Sequence, residues 1–234
     1  MILDQPLLRR SAPQAARRTG WAEKPLVTIV DDDAAVREAL SELMLSTGFQ
    51  PVSFASTREL LEADVLDSPG CLILDVRMPG ASGLDLQRQL AGGGNPKPII
   101  FLTGHGDIPM TVQAMKAGAV DFLTKPVRDQ TLLDAVIAGV AMDAARRAAA
   151  AIVKRNMERV EVLTPREREV LRGVARGRLN KQIAFDLGIS EVTVKFHRGN
   201  VMRKMGATSI GELIRTWETL PGPVRATGAA GISA

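Results

Sequence analysis

The chain has 234 residues, one cysteine and a net charge of +4. That length suits two compact units, a lone Cys71 rules out an intramolecular disulfide framework, and no apolar run reaches the roughly 20 residues that a membrane helix needs. The charge is unevenly divided: residues 24–145 carry nine Lys and Arg against sixteen Asp and Glu, a net of −7, whereas residues 146–223 carry sixteen against eight, a net of +8. An acidic half joined to a basic half is the asymmetry of a regulatory unit attached to a nucleic-acid binder.

Residues 1–23 place arginines after a very short apolar stretch, the wrong order for a secretory signal. They read as a flexible extension, and the cytoplasm is the expected location. From Lys24 onward, short apolar runs alternate with helical patterns. The runs are LVTIV (26–30), PVSF (51–54), CLILD (71–75), PIIFLT (98–103) and AVDFL (119–123). Between the first two, Val36, Leu40, Leu43 and Met44 share one face at helical spacing. Five β units alternating with helices predict an α/β fold over residues 24–143, a five-stranded doubly wound parallel sheet. A helix begins near Asp129, and its alanine-rich continuation predicts a helical linker over residues 144–160.

The second half opens on Leu-Thr-Pro-Arg-Glu. Thr164 as N-cap, Pro165 at the first helical position and Glu167 closing a capping box form a clear helix start. Further helices are expected from about Asn180 to Gly188, from Ser190 as N-cap to about Met205, and from Thr208 to about Thr219. Residues 161–221 therefore read as a small all-α domain. Residues 222–234, being small and polar, read as a disordered tail.

Chemistry-bearing residues gather at the carboxyl ends of the expected strands, where ligands bind in open α/β sheets. Asp31, Asp32 and Asp33 follow the first strand. Asp75 ends the third, Thr103 the fourth, and Lys125 follows the fifth. With strand order 2-1-3-4-5 these ends converge. Close carboxylates repel one another, and hard oxygen ligands with positions left for water and phosphate suit Mg²⁺. An Asp carboxylate can attack a phosphoryl group, with Lys125 and the cation neutralising the transferring oxygens.

IVDDDAAVRE, LILDVRMPGASGLDL, IIFLTGHGD and AVDFLTKPV resemble the signature segments of response-regulator receiver domains, flavodoxin-like in fold. GHGDIPMTVQAMKAGAVDFLTKP resembles the FixJ branch in particular. The resemblance implies that Asp75 is the phospho-acceptor. It gives Asp31 and Asp32 a Mg²⁺ ion together with Asp75 and the backbone carbonyl of Arg77. Thr103 and Phe122 become switch residues, and Lys125 a phosphate contact. Arg77 and His105 flank the site where phosphoryl lifetime is tuned. Asp33 has no motif role and is expected to cap the next helix.

In NKQIAFDLGISEVTVKFHRGNVMRKMG, two helices and a turn at Gly188 fit a helix-turn-helix. Val194, Val201 and Met205 share the inward face of the second helix. Gly199 in mid-helix costs about 1 kcal/mol relative to Ala, and close approach to a groove or to a neighbouring helix would explain it. LTPREREVL with NKQIA and ISEVTVKFHRGNVMRKM resembles the LuxR-type output domain of NarL/FixJ-type regulators. By that resemblance Lys195, Phe196 and Gly199 face bases. Asn180, Lys181, Thr193, His197, Arg203 and Lys204 are candidates for DNA backbone contacts, His197 being equally well read as a packed helix residue. The implied partners are a sensor histidine kinase, promoter DNA and RNA polymerase, with homodimerisation on phosphorylation and no membrane. The implied role is regulation rather than enzyme catalysis, with the receiver assisting its own phosphotransfer and dephosphorylation. A phosphatase with an aspartyl-phosphate intermediate would place a second acid where Arg77 stands. A ligand-sensing regulator would need an aromatic-lined pocket in the N-terminal half, and the chain has no Tyr.

Overall fold

The computed structural model describes residues 24–79, 82–93, 97–104 and 107–226. Chain contacts divide it into two units, Met1–Leu133 and Asp134–Ala234. The extension 1–23, His105 and the last eight residues lie outside the described residues.

The N-terminal unit alternates β1 (Leu26–Val30), α1 (Ala34–Ser46), β2 (Gln50–Phe54), α2 (Thr57–Glu62), β3 (Gly70–Leu74), α3 (Gly83–Gly92), β4 (Ile99–Thr103), α4 (Ile108–Lys116) and β5 (Asp121–Thr124). The strands form one parallel sheet in the order β2-β1-β3-β4-β5, as expected. Every residue of β3 and β4 is buried, whereas the edge strands β2 and β5 are not. Helices cover both faces of a parallel sheet, so its central strands must be apolar on both sides. The runs GCLIL and IIFLT meet that demand. β5 begins two residues later than the apolar run suggests, because Ala119 packs in the core before the ladder starts.

Helix starts follow their caps. The Asp33 carboxylate accepts from the N–H groups of Ala35 and Val36 at the head of α1, the capping role expected of it. Ser82 and Asp85 form a capping box on α3. Two glycines are required by geometry. Gly70 has φ of +135°, and a Cβ there would lie 1.9 Å from the Leu26 carbonyl oxygen. At Gly83 a Cβ would lie 2.5 Å from the carbonyl oxygen of Asp75.

α5 (Asp129–Glu161) is a single uninterrupted helix. No break separates residues 143 and 144, where the sequence reading divided domain from linker. The C-terminal unit continues with α6 (Pro165–Ala175), α7 (Asn180–Leu187), α8 (Glu191–Met205), α9 (Ile210–Glu218) and α10 (Gly222–Ala226). Its core gathers Leu163, Val170, Leu171, Ile183, Val194, Val201, Met205 and Leu213. Thr164 and Glu167 form the expected capping box. Gly188 ends α7 in the left-handed conformation, which glycine adopts without steric penalty.

Two expectations need correction. α9 is capped by Ser209 rather than begun at Thr208, because Thr208 gives both its N–H and its hydroxyl to Glu212 from outside the helix. The small, polar tail is expected to be disordered from Gly222, yet residues 222–226 form α10 and Val224 packs against the core. One valine docking on that core is enough to order a short turn, and a compositional reading does not register it.

Candidate phospho-acceptor site and nucleic-acid interface

Strand register builds the acidic site. Val30 pairs with Leu74, so the residues that follow, Asp31 and Asp75, emerge side by side. The N–H of Asp75 donates to the carbonyl of Val30 at 2.9 Å. On the other flank Thr103 pairs with Thr124. The next N–H, of Lys125, donates back to the Thr103 carbonyl at 2.8 Å, and the Lys125–Pro126 peptide bond is cis.

Asp31, Asp32 and Asp75 each offer a carboxylate oxygen, and these atoms lie within 4.8 Å of one another. Asp31 and Asp75 are buried and Asp32 is exposed. The Lys125 ammonium donates to Asp31 Oδ2 at 2.5 Å and to Asp75 Oδ2 at 2.9 Å. Backbone N–H groups hold the opposite oxygens, Asp33 on Asp31 and Arg77 on Asp75, both at 3.0 Å. Burial disfavours the Lys125 ammonium, but its hydrogen bonds to the two carboxylates and their attraction outweigh this and hold its pKa above the ordinary value. The donor set is all hard oxygen with one ligand open to solvent, which fits a small divalent cation such as Mg²⁺.

Arg37 is a contributor that the sequence reading did not single out. From α1 its Nη1 donates to the carbonyl of Asp31 at 2.7 Å and steadies the strand end. Its position one turn into the helix after the acidic triplet was the available signal. The Phe122 ring, on β5, meets Phe101 with centroids 5.9 Å apart. Thr103 is buried at the end of β4, and a Cβ added at Gly104 beside it would meet nothing within 4 Å. Arg77 is exposed.

The C-terminal unit presents α8 outward. Val194, Val201 and Met205 are buried as expected. Lys195, Phe196, Gly199 and Arg203 are exposed, while Thr193 and His197 are half-buried. Phe196 is 66% exposed, and Val192, one turn earlier and overlooked in the sequence, is 74% exposed. No neighbouring helix explains Gly199, because a Cβ there would meet nothing. Its bare backbone faces open space. His197 has its Nδ1 enclosed without a hydrogen-bond partner, and its ring lies 5.8 Å from that of Phe196.

The candidate backbone contacts separate into two groups. Lys181 is exposed at the start of α7 beside Asn180. Arg198 Nη1 reaches from α8 to Asn180 Oδ1 at 2.8 Å. Arg has only donors, so Asn180 must turn its oxygen toward Arg198 and its amide N–H groups elsewhere. The Arg198 role was not visible in the sequence, since the two residues are 18 positions apart. Lys204 already has partners within the protein. Its ammonium is held by Glu167 at 2.6 Å and by the Val162 carbonyl at 3.2 Å, tying α8 to α6.

Comparison with known proteins agrees with this geometry. The family profile described as "Response regulator receiver domain" matches residues 27–137, and that of "Bacterial regulatory proteins, luxR family" matches residues 161–217. Nodulation protein W of Bradyrhizobium diazoefficiens is 53% identical, over 86% of this chain and 89% of the relative. Response regulator protein TodT of Pseudomonas putida is 52% identical, over 83% and 86%. Transcriptional regulatory protein FixJ of Azorhizobium caulinodans is 44% identical, over 81% and 90%. Among solved structures, the response regulator StyR aligns with a TM-score of 0.75 at 48% identity, covering 83% of this chain and 98% of that one. Full-length FixJ from B. japonicum aligns with a TM-score of 0.52 at 40% identity, over 84% and 97%. Among the described residues no helix is long and apolar enough to cross a membrane. A receiver built around an aspartate cluster, followed by a LuxR-type helix-turn-helix and matched along most of its length by such relatives, places this chain in the NarL/FixJ-type response regulators, transcriptional regulators of two-component systems.

Proposed function

We propose that Asp75 accepts a phosphoryl group from a sensor histidine kinase and that this controls promoter binding by the C-terminal unit. The observation that carries the reading is the cluster of Asp31, Asp32 and Asp75 carboxylates within 4.8 Å, with Lys125 bridging Asp31 and Asp75. An Asp75 oxygen attacks phosphorus, the P–N bond to the donor imidazole breaks, and the imidazole leaves after taking up a proton. Lys125 shifts from its carboxylate partners toward the phosphoryl oxygens. Asp31, Asp32, Asp75 and the Arg77 carbonyl would hold Mg²⁺, which when bound neutralises charge on the transferring group. Thr103 then donates its hydroxyl to the phosphoryl group, and Phe122 repacks behind it. Arg77 and His105 set how readily water reaches the acyl phosphate.

The units take residues 24–143 as receiver, 144–160 as helical linker and 161–221 as output domain. On DNA, Lys195, Phe196 and Gly199 face base edges in the major groove. Asn180, Lys181, Thr193, His197 and Arg203 meet phosphates, and Lys204 leaves that set because Glu167 engages it. Homodimerisation on phosphorylation supplies two output domains to a two-fold site. RNA polymerase is the downstream partner, and the cytoplasm is the location.

The test compares wild type with Asp75→Ala, with and without acetyl phosphate and Mg²⁺, reading intact mass, oligomeric state and promoter affinity. Wild type alone should gain one phosphoryl group and bind DNA more tightly. Equal behaviour of both proteins in both conditions would remove control through Asp75 and leave the DNA-binding role standing.

A further inference from the structure

The segment of α5 between Asp134 and Arg155 carries an apolar face used by neither the acidic site nor the helix-turn-helix. Asp134, Ile137, Ala141, Ala148, Ile152 and Arg155 are all exposed. Ile137 is 55% and Ile152 50% exposed. At 3.6 residues per turn the six fall within about 60° of arc on one side of the helix. Ala144 and Ala145, also exposed, complete the strip at its middle. Steps of three and four residues are the spacing of a helix–helix seam. Contiguous apolar surface rimmed by charge marks an interaction site.

The order of side chains along this face reads nearly the same from either end. An acid, an isoleucine and an alanine lead to the central pair, and an alanine, an isoleucine and a base lead away from it. A two-fold interface requires that symmetry, because residue i meets j while j meets i. With a second copy of the helix laid antiparallel about the point between Ala144 and Ala145, Ile137 faces Ile152 and Ala141 faces Ala148. Asp134 then faces Arg155 at both ends, so opposite charges meet. In a parallel pair each charge would face its own kind. The central alanines have no bulk beyond Cβ, which lets two helix axes approach to about 8 Å.

We propose that this face docks a second copy of the same chain as an antiparallel helix pair. The contact runs about 32 Å along the helix. A strip of that length buries less than the roughly 1,200 Å² of a stable standard interface. The pair is therefore weak alone and gains strength when two output units occupy one two-fold DNA site.

Sedimentation velocity on the full chain, with and without acetyl phosphate and Mg²⁺, tests this with Asp134→Arg, Arg155→Asp and the double reversal. Each single reversal sets like charges against each other twice per dimer and should weaken association about tenfold, whereas the double restores it. Oxidative cross-linking supplies the direction. Ala141→Cys mixed with Ala148→Cys should give a covalent heterodimer while neither gives one alone, and the native Cys71 is buried. Self-cross-linking of Ala141→Cys by itself would mean parallel pairing and would overturn the proposal. A wild-type chain that stays monomeric in every condition, a two-fold promoter fragment included, would also overturn it. Undisturbed dimers from the single reversals would do the same, while leaving phosphorylation-driven dimerisation through another surface intact.

Discussion

Individual side chains here act through what holds them. Asp75 is aimed by Arg77 N–H and Lys125, and its own carbonyl is crowded by α3. Gly83 permits that approach, since a Cβ would sit 2.5 Å from the Asp75 carbonyl oxygen and 3.1 Å from the Phe101 ring. Gly83→Ala should therefore displace the Asp75 strand end and slow labelling by acetyl phosphate, about tenfold for a misplacement well under 1 Å. Intact-protein mass spectrometry over time reads the rate, and unchanged labelling would mean that α3 yields instead. On the DNA side, Lys181→Ala and Arg203→Ala should each lower the slope of log K against log salt by about one. Lys204→Ala should leave the slope alone and lower stability, because its charge is already committed to Glu167. A slope change at Lys204 equal to that at Lys181 would return it to the set of phosphate contacts.

Elements were legible where their signals are local. The capping box at Thr164 and Glu167, the helix end at Gly188 and the Ser190 cap lie within a few residues of the helices they define, and each forms as read. The convergence of Asp31, Asp75 and Lys125 was legible because strand order fixes which loop ends become neighbours. Contacts that join distant elements were not. Nothing near Lys204 announces Glu167, 37 positions away, and a solvated charge and a tied one look alike in sequence. That bridge gives the C-terminal unit a pH dependence. Burial raises the pKa of Glu167, but the Lys204 ammonium and the Thr164 N–H and hydroxyl lower it further, and the net value lies below the ordinary 4.5. A carboxyl whose folded pKa is depressed adds stability that is present above its unfolded pKa and lost as pH falls through the folded one. The thermal stability of the C-terminal unit should thus fall below about pH 4.5. Glu167→Gln should lower the melting temperature at neutral pH and flatten that acid limb. Thr164→Ala should cost about 1 kcal/mol by removing the cap alone. If Glu167→Gln keeps the full acid dependence, another carboxylate governs it.

At the scale of the whole molecule, one helix belongs to both units. Contacts divide the chain after Leu133, yet α5 runs unbroken from Asp129 to Glu161. At its start Leu132 is buried, and near its end Asn156 donates to Thr219 at 2.9 Å. A continuous hydrogen-bonded helix transmits rotation and displacement along its length, as a Gly/Ser-rich linker would not. Between these anchors Ala135 and Val136 still pack in a core, but Ala144, Ala145, Ala148, Ala149, Ala150 and Ala151 are exposed, so the stretch around Ala149 serves neither core directly. A proline there removes one backbone donor and clashes with the preceding turn, breaking the helix at a local cost of about 3 kcal/mol. Ala149→Pro should leave acetyl-phosphate labelling of Asp75 and the affinity of unphosphorylated protein for a single half-site near wild type, because both sites are built outside this stretch of helix. What it should abolish is the difference in DNA affinity between phosphorylated and unphosphorylated protein. Fluorescence anisotropy with promoter DNA, at fixed salt and matched phosphorylation measured by mass, decides the matter. An undiminished response in Ala149→Pro would show that the phosphorylation signal does not travel through this helix.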